Sequence, residues 1–254
     1  VNGQLVGEVI DPYLPCDLLV GDALRYGEEN KVAVSVNNEH PHSGVPTNFY
    51  WRADGGILRN VELRATDHLV LGSVKVEARP LPSGAGSFLL RATVENGRMV
   101  PASASIRVTV VDRAGKQLRS LVPQTLELAP QKEGELEIAA ELPNVQPWTP
   151  DSPTLYSASV ELAEAGDVLA ARDIRFGFRT VEVRGVQVLL NGKPMYLFGF
   201  NRHEDTFRDG MALDPATVER DLRDIKRMGA NFVRLCHYPH DTATLDWCDG
   251  LGLL

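Results

Sequence analysis

The chain is 254 residues long, 43% hydrophobic, and carries a net charge of −8, with 26 Lys and Arg against 34 Asp and Glu. That length suits one large domain or two to three small ones, with ample apolar residues for packed cores. The acidic balance, with no block of like charge, argues against nucleic acid as a main partner, because phosphate binding needs a basic face. It goes better with a neutral or weakly charged ligand. Three cysteines, Cys16, Cys236 and Cys248, are odd in number and widely spaced, so they imply no disulfide framework. No apolar run reaches the ~18 residues of a membrane helix, and no signal peptide is visible, so no membrane partner is expected. The chain starts at Val1 without an initiator Met. That suggests a piece of a longer protein and leaves the compartment open.

Residues 1 to about 64 read as β. Val1-Asn2-Gly3 is a turn, Lys31–Val36 (KVAVSV) alternates strictly, and Ile57–Leu63 (ILRNVEL) nearly does. Between these runs, residues 38–56 form a long polar loop that holds Phe49, Tyr50 and Trp51. Loops of that length are usually functional or disordered, and three consecutive aromatics speak against disorder. Their rings suit either the apolar faces of sugars or a domain boundary.

A second β region follows. Strands are expected at Leu69–Glu77, Ser87–Glu95, Ser103–Val111, Glu135–Ala140, Tyr156–Ala163 and Ala171–Phe178, separated by turn signals such as Asn96-Gly97, Ala114-Gly115 and Ala165-Gly166. Short strands at regular spacing, with no helical stretch, predict a β-sandwich of immunoglobulin-like kind. Nothing catalytic stands out in it, and a spacer between two other domains is the expected role.

From Gly185 the pattern changes. Val186–Leu190, Asn191-Gly192 and Pro194–Phe200 read as a hairpin leading into a buried strand. Asp214 and Pro215 mark a helix start, Val218, Leu222, Ile225 and Met228 fall on one helical face, and Gly229 ends it. A second strand, Phe232–Leu235, a second helix around Thr242–Asp249, and the first residues of a third strand at Leu253-Leu254 complete the order. This β-α-β-α succession predicts a parallel sheet with helical crossovers, as in a (β/α)₈ barrel. A whole barrel needs ~250 residues, so the remainder is expected outside this chain.

In such a barrel the active site lies at the C-terminal ends of the strands. Asn201, Arg202, His203, Glu204 and Asp205 follow the first strand; Arg234, His237 and Tyr238 follow the second. Neutral imidazoles there can exchange hydrogen bonds with ring hydroxyls. Arg234 and His237 are three apart, so strand alternation cannot aim both inward, and one of them must lie beyond the regular strand. A metal set of His203, Glu204, His237 and His240 has suitable residue types but no H-E-x-x-H helix, so no metal site is assigned. A Cys236–His237 nucleophile pair is also set aside, because strand neighbours point to opposite faces. The competing reading of His203 and His237 is structural hydrogen bonding at a strand end.

Five stretches, in order, resemble glycoside hydrolase family 2, the family of β-galactosidases and β-glucuronidases. They are DGGILRNVEL (Asp54–Leu63), WTPDSPTLY (Trp148–Tyr156), RFGFRTVEV (Arg175–Val183), LNGKPMYLFGFNRHED (Leu190–Asp205) and NFVRLCHYPHDTATLDWCDGLGLL (Asn231–Leu254). VNGQLVGE at the start is similar to the middle of that family's sugar-binding jelly roll. The resemblance implies a mainly β multidomain chain: residues 1–64 the back part of a jelly roll, 65–183 an immunoglobulin-like sandwich, and 184–254 the first β/α units of the barrel. It implies that His203 and His237, with Asn201 and Asp205, contact sugar hydroxyls, and that Arg234 orients the nucleophile. In the jelly-roll loop, Asn48, Tyr50, Trp51 and Asp54 become candidates for reaching the sugar.

The family's retaining mechanism uses two glutamates from later barrel strands, so neither is in this chain; Glu204 is not one of them, and the 254 residues alone are expected to be inactive. The full enzyme would act on a carbohydrate, need no organic cofactor, and form an oligomer of identical chains. Some relatives use Mg²⁺ or Na⁺, but the part that ligates metal is not visible here. Departures in TNFYWRADGG and RHEDTFRDG leave galactoside and glucuronide both open. The alternative from another class is a non-catalytic β-rich module that binds carbohydrate or serves as a scaffold.

Overall fold

A computed structural model describes residues 1–10, 13–37 and 55–254. Asn48, Phe49, Tyr50, Trp51 and Asp54 lie outside the described residues.

The N-terminal turn forms as its residues dictate. Gln4 N donates to Val1 O at 2.8 Å, with Asn2 and Gly3 at φ +49° and +83°. The Asn2 side chain then ties two distant segments together, donating to Ala23 O and accepting from Lys31 N. The expected strands nearby are corrected. Among the described residues before Leu69 there is no ladder, only a 3₁₀ turn at Gly21–Ala23. Val32, Val34, Val36, Val61 and Leu63 stand exposed. Alternation becomes a strand only where a neighbour supplies ladder partners and a second layer covers the apolar face. Neither condition is met here.

The sandwich carries most of the core. One sheet holds β1 (Leu69–Pro80), β2 (Gly86–Asn96) and β6 (Glu133–Leu142) in that order, all antiparallel. The other runs β4 (Gln117–Ser120), β3 (Ala102–Val111), β7 (Tyr156–Glu164), β8 (Asp167–Phe176), with β5 (Gln124–Leu128) also paired to β3. Each of the six expected strands is present, with ends shifted by a few residues. Alternate residues of β2, β3 and β7 are buried. Phe88, Leu90, Ile106, Val108, Val160 and Leu162 meet between the sheets. The pairing of two antiparallel sheets through their alternating inner faces is what defines the sandwich. β4 and β5 were not anticipated: they are short, polar and largely exposed.

A meander follows, β9 (Val181–Arg184), β10 (Gln187–Leu190) and β11 (Lys193–Met195). Its second turn is Asn191-Gly192, at φ +50° and +74°, joining Leu190 to its partner Lys193. Both central residues need φ > 0 in such a two-residue turn.

The last unit is β12 (Gly199–Arg202), α1 (Pro215–Arg227), β13 (Phe232–Leu235) and α2 (Thr242–Leu251). β12 and β13 are parallel, with Asn201 opposite Arg234. Asp214 caps α1 by accepting from Ala216 N, and Val218, Leu222 and Ile225 are buried beneath it. Met228 departs from the expected face: it is the C-terminal cap residue and is exposed, because the helix unwinds there into Gly229 at φ +88°. Gly199 is required by contact, since a Cβ there would stand 1.8 Å from Phe232 O. Leu254 bonds beside the start of β13, with Val233 N donating to Leu254 O at 2.8 Å and Leu254 N to Asn231 O at 2.9 Å. That is the position of a next parallel strand.

Trp148 joins the sandwich to this unit. It is fully buried, and its Nε1 donates to Asp249 O in α2 at 2.8 Å. Its carbonyl accepts from Asn191 Nδ2, and the Arg179 guanidinium lies 4.6 Å above its ring. Lys226 from α1 donates to Pro150 O and Gly252 O. Burial of that ammonium holds its pKa below the usual lysine value.

Candidate active site

The two parallel strands end side by side, and the chemistry-bearing residues come just after them. β12 delivers Asn201, which is exposed, and Arg202, which is buried and reaches Asp221 on α1 at 3.3 Å. Alternation puts these two on opposite faces. His203 then falls on the side of Asn201. β13 delivers Arg234 on the same side through its register with Asn201.

His237 lies two residues past the end of β13, as the spacing of Arg234 and His237 demanded. The Cys236–His237 peptide is cis. Arg234 Nη2 meets His237 Nδ1 at 3.0 Å. Because a guanidinium has no acceptor, Nδ1 must accept, and in the neutral ring the proton is on Nε2. His203 and His237 stand edge to face with ring centroids 5.3 Å apart. Desolvation first, then the charges of Arg234 and His203, hold the His237 pKa below 6.5. A neutral imidazole with a fixed tautomer is suited to hydrogen bonding a neutral hydroxyl.

Cys236 corrects one expectation. It was expected to face away from His237, yet donor atoms of His203, Cys236 and His237 all lie within 4.8 Å of one another. The chain has left the strand by then, so alternation no longer governs. Arg234 Nη1 donates to Cys236 Sγ at 3.1 Å, and the thiol reaches Arg234 O. This sulfur-and-imidazole set does not suit Mg²⁺ or Na⁺, which take oxygen ligands. The guanidinium touching two of its three members opposes any second cation there.

Beneath this surface lies a second layer. Tyr13, Tyr238 and His240 form a ring stack, with centroids at 4.8 and 5.2 Å. Burial raises the Tyr238 pKa, and burial lowers that of His240. Tyr238 Oη accepts from Glu204 N, and Glu204 accepts from Arg59 and from Asp241 N. Asp205 is exposed, and its charge adds to the upward push on Tyr238.

Thus Asn201, His203, Arg234 and His237 are brought together, and Asp205 sits at their edge. Residue type and spacing did not single out Arg59, Tyr13 or the bonding role of Glu204. Their partners are far away in the chain; the only signal was that Arg59 and Glu204 both sit inside the quoted motifs. A separate cleft of about 340 Å³ lies at the junction of sandwich and α2, lined by Arg79, Trp148, Arg175, Arg179 and Asp249 among others. It includes none of the strand-end residues.

Two family models match. One, described as glycosyl hydrolases family 2, covers residues 71–179, and the other, the TIM barrel domain of the same family, covers residues 181–254. Similar proteins include a β-galactosidase from Thermoanaerobacter pseudethanolicus, 32% identical over 261 residues, matching 100% of this chain and 34% of that protein. A β-glucuronidase from Streptococcus agalactiae is 30% identical over 275 residues, matching 100% of this chain and 43% of that protein. Among solved structures, a β-glucuronidase from Bacteroides uniformis superposes with a TM-score of 0.79 at 27% identity, over 86% of this chain and 27% of that one. The chain therefore spans between about a third and two fifths of the length of these two curated relatives. With both models in sequence order and the barrel match ending on the strand-end histidines and α2, the chain belongs to glycoside hydrolase family 2.

Proposed function

We propose that this chain is the sugar-holding part of a retaining β-glycosidase acting on terminal β-linked galactosides or glucuronides. The observation that carries the reading is the Arg234–His237–His203 arrangement at the C-terminal ends of two adjacent parallel strands. His203 and His237 hydrogen bond to ring hydroxyls, and these bonds tighten as the oxocarbenium-like transition state flattens the sugar. Arg234 directs the nucleophilic carboxylate while fixing the His237 tautomer.

The two carboxylates of a retaining mechanism, about 5–5.5 Å apart, form and then hydrolyse a covalent glycosyl-enzyme. Glu204 is committed to Arg59 and Asp241 N and supplies neither, so we assign both to later barrel strands. The galactosidase and glucuronidase names of the relatives support the choice of sugars. An assembly of identical chains is also proposed for the full-length protein, and its mass in solution tests that.

The decisive experiment screens the full-length protein on a panel of 4-nitrophenyl β-glycosides. Hydrolysis of the galactoside or glucuronide is expected, with net retention at the anomeric carbon seen by NMR. Absence of turnover across the panel would overturn the reading, as would inversion.

A further inference from the structure

The segment before the sandwich meets the strand-end loops through the Tyr13 ring, stacked on Tyr238, and through the Arg59 guanidinium. Its Nη2 donates to Glu204 Oε2 at 2.9 Å and to Pro239 O at 2.8 Å. Its Nη1 donates to Tyr13 O at 2.7 Å, and its Nε faces Asp241 Oδ2 at 3.5 Å. Glu204 is the hub that receives it. The Glu204 side chain is only 5% exposed. Its carboxylate also accepts from Asp241 N at 3.0 Å, at the N-cap of α2, and from Thr244 Oγ1 at 3.5 Å. Its backbone N donates to Tyr238 Oη at 2.9 Å.

Two of the residues in this network, Glu204 and Tyr238, stand next to sugar-contacting candidates. Glu204 follows His203. Tyr238 follows His237 and is clamped between Tyr13 and His240. Asp241 begins the helix that the His237 turn feeds. A buried carboxylate bonded to two loops and a helix start fixes their spacing, and it is tolerable there only because a guanidinium neutralises it.

We propose that Arg59 and Glu204 are positioning residues for the glycosidase: a strut by which the N-terminal segment sets the separation and orientation of His203 and His237. This rests on the proposed function for its kinetic consequence, but not for its geometric one. Neither residue touches the sugar. Arg59→Met leaves the Glu204 charge without its main partner and removes the bonds that link Tyr13 O and Pro239 O through the guanidinium. Glu204→Gln keeps an acceptor for Asp241 N but loses the charge that holds Arg59.

The test uses the full-length protein with 4-nitrophenyl β-galactoside and β-glucuronide, together with the ε1-carbon NMR signals of histidine. Arg59→Met and Glu204→Gln should each lower kcat/KM at least tenfold, mostly through kcat, with circular dichroism unchanged. The double variant should be no worse than the poorer single one, and Arg59→Lys should recover part of the loss. The His203 and His237 signals should shift in both single variants.

If Glu204→Gln does not fold, Arg59→Met, altered at a partly exposed side chain, still decides the matter. A kcat/KM within twofold of wild type in folded Arg59→Met, multiplicative losses in the double variant, or unmoved imidazole signals would overturn the strut. A wild-type protein that cleaves neither sugar would overturn the proposed function alone. The imidazole signals would then decide the strut by themselves.

Discussion

Arg234 Nη2 lies 3.0 Å from His237 Nδ1, and the contact has a single polarity. The guanidinium donates, so the imidazole accepts at Nδ1 and carries its proton on Nε2. With desolvation, that same cation holds the His237 pKa below 6.5, so the ring stays neutral to a lower pH than an ordinary histidine. In the full-length protein, Arg234→Met removes one of those causes. The His237 pKa should rise toward 6.5, and the acid limb of the kcat/KM profile should move to higher pH. Histidine NMR titration beside the pH–rate profile checks this. An unmoved limb with an unmoved titration would take Arg234 out of that role.

On the proposed function, His237→Ala deletes a hydroxyl contact that strengthens in the transition state. The loss should be about 10- to 100-fold in kcat/KM, equivalent to ~1–3 kcal/mol for a hydrogen bond left unmade. His237 is exposed, so the thermal midpoint should barely move. Wild-type kinetics in a folded variant would return His237 to a structural role.

Asp249 gives a stability test away from the site. Burial raises its pKa above 3.8 despite Arg179 nearby. A raised carboxylate means that the folded state holds the proton more tightly than the unfolded one. Stability is therefore highest below the unfolded pKa and is lost as pH rises through the folded pKa. Asn cannot ionise and escapes this loss. Asp249→Asn should have the higher thermal midpoint at pH 7, with the advantage vanishing as pH falls below 3.8. A variant less stable at pH 7 would mean that the Arg179 pairing outweighs desolvation.

Gly252→Ala tests the docking of α2 on the sandwich. Gly252 ends the helix at φ +75°, and a Cβ there would stand 2.2 Å from Pro150 O. An alanine is strained by its backbone and also collides with a backbone oxygen, which cannot swing aside. The midpoint of urea unfolding should fall, by more than the ~1 kcal/mol typical of φ strain alone. Equal stability would show that the Pro150 segment yields easily.

Much of this architecture could be read locally. Leu90 and Val160 alternate because their strands have a core on one face. Asp214-Pro215 announces α1, and Asn191-Gly192 its hairpin, because each depends on a few adjacent residues. KVAVSV misled for the opposite reason: its alternation was complete, but a ladder needs a partner strand, which a pattern cannot supply. At the site, His203, Arg234 and His237 were legible as strand ends. The Arg59–Glu204 contact was not, since it joins residues 145 apart in sequence, and no periodicity encodes a meeting of that kind. The position of the Cys236 sulfur was hidden too, because it depends on how the chain leaves its strand.

Trp148 has no exposed surface, and its indole N–H is held by Asp249 O, across the join between sandwich and α2. The Arg179 guanidinium lies over its ring, and Gly177 packs close against its side chain. Such an indole emits at short wavelength while the join is closed and shifts to the red when water enters. The molecule thus contains its own optical gauge of that seam. Replacing Trp51 and Trp247 by phenylalanine would leave Trp148 as the one tryptophan of these 254 residues, able to report a parting of the two units before either one melts.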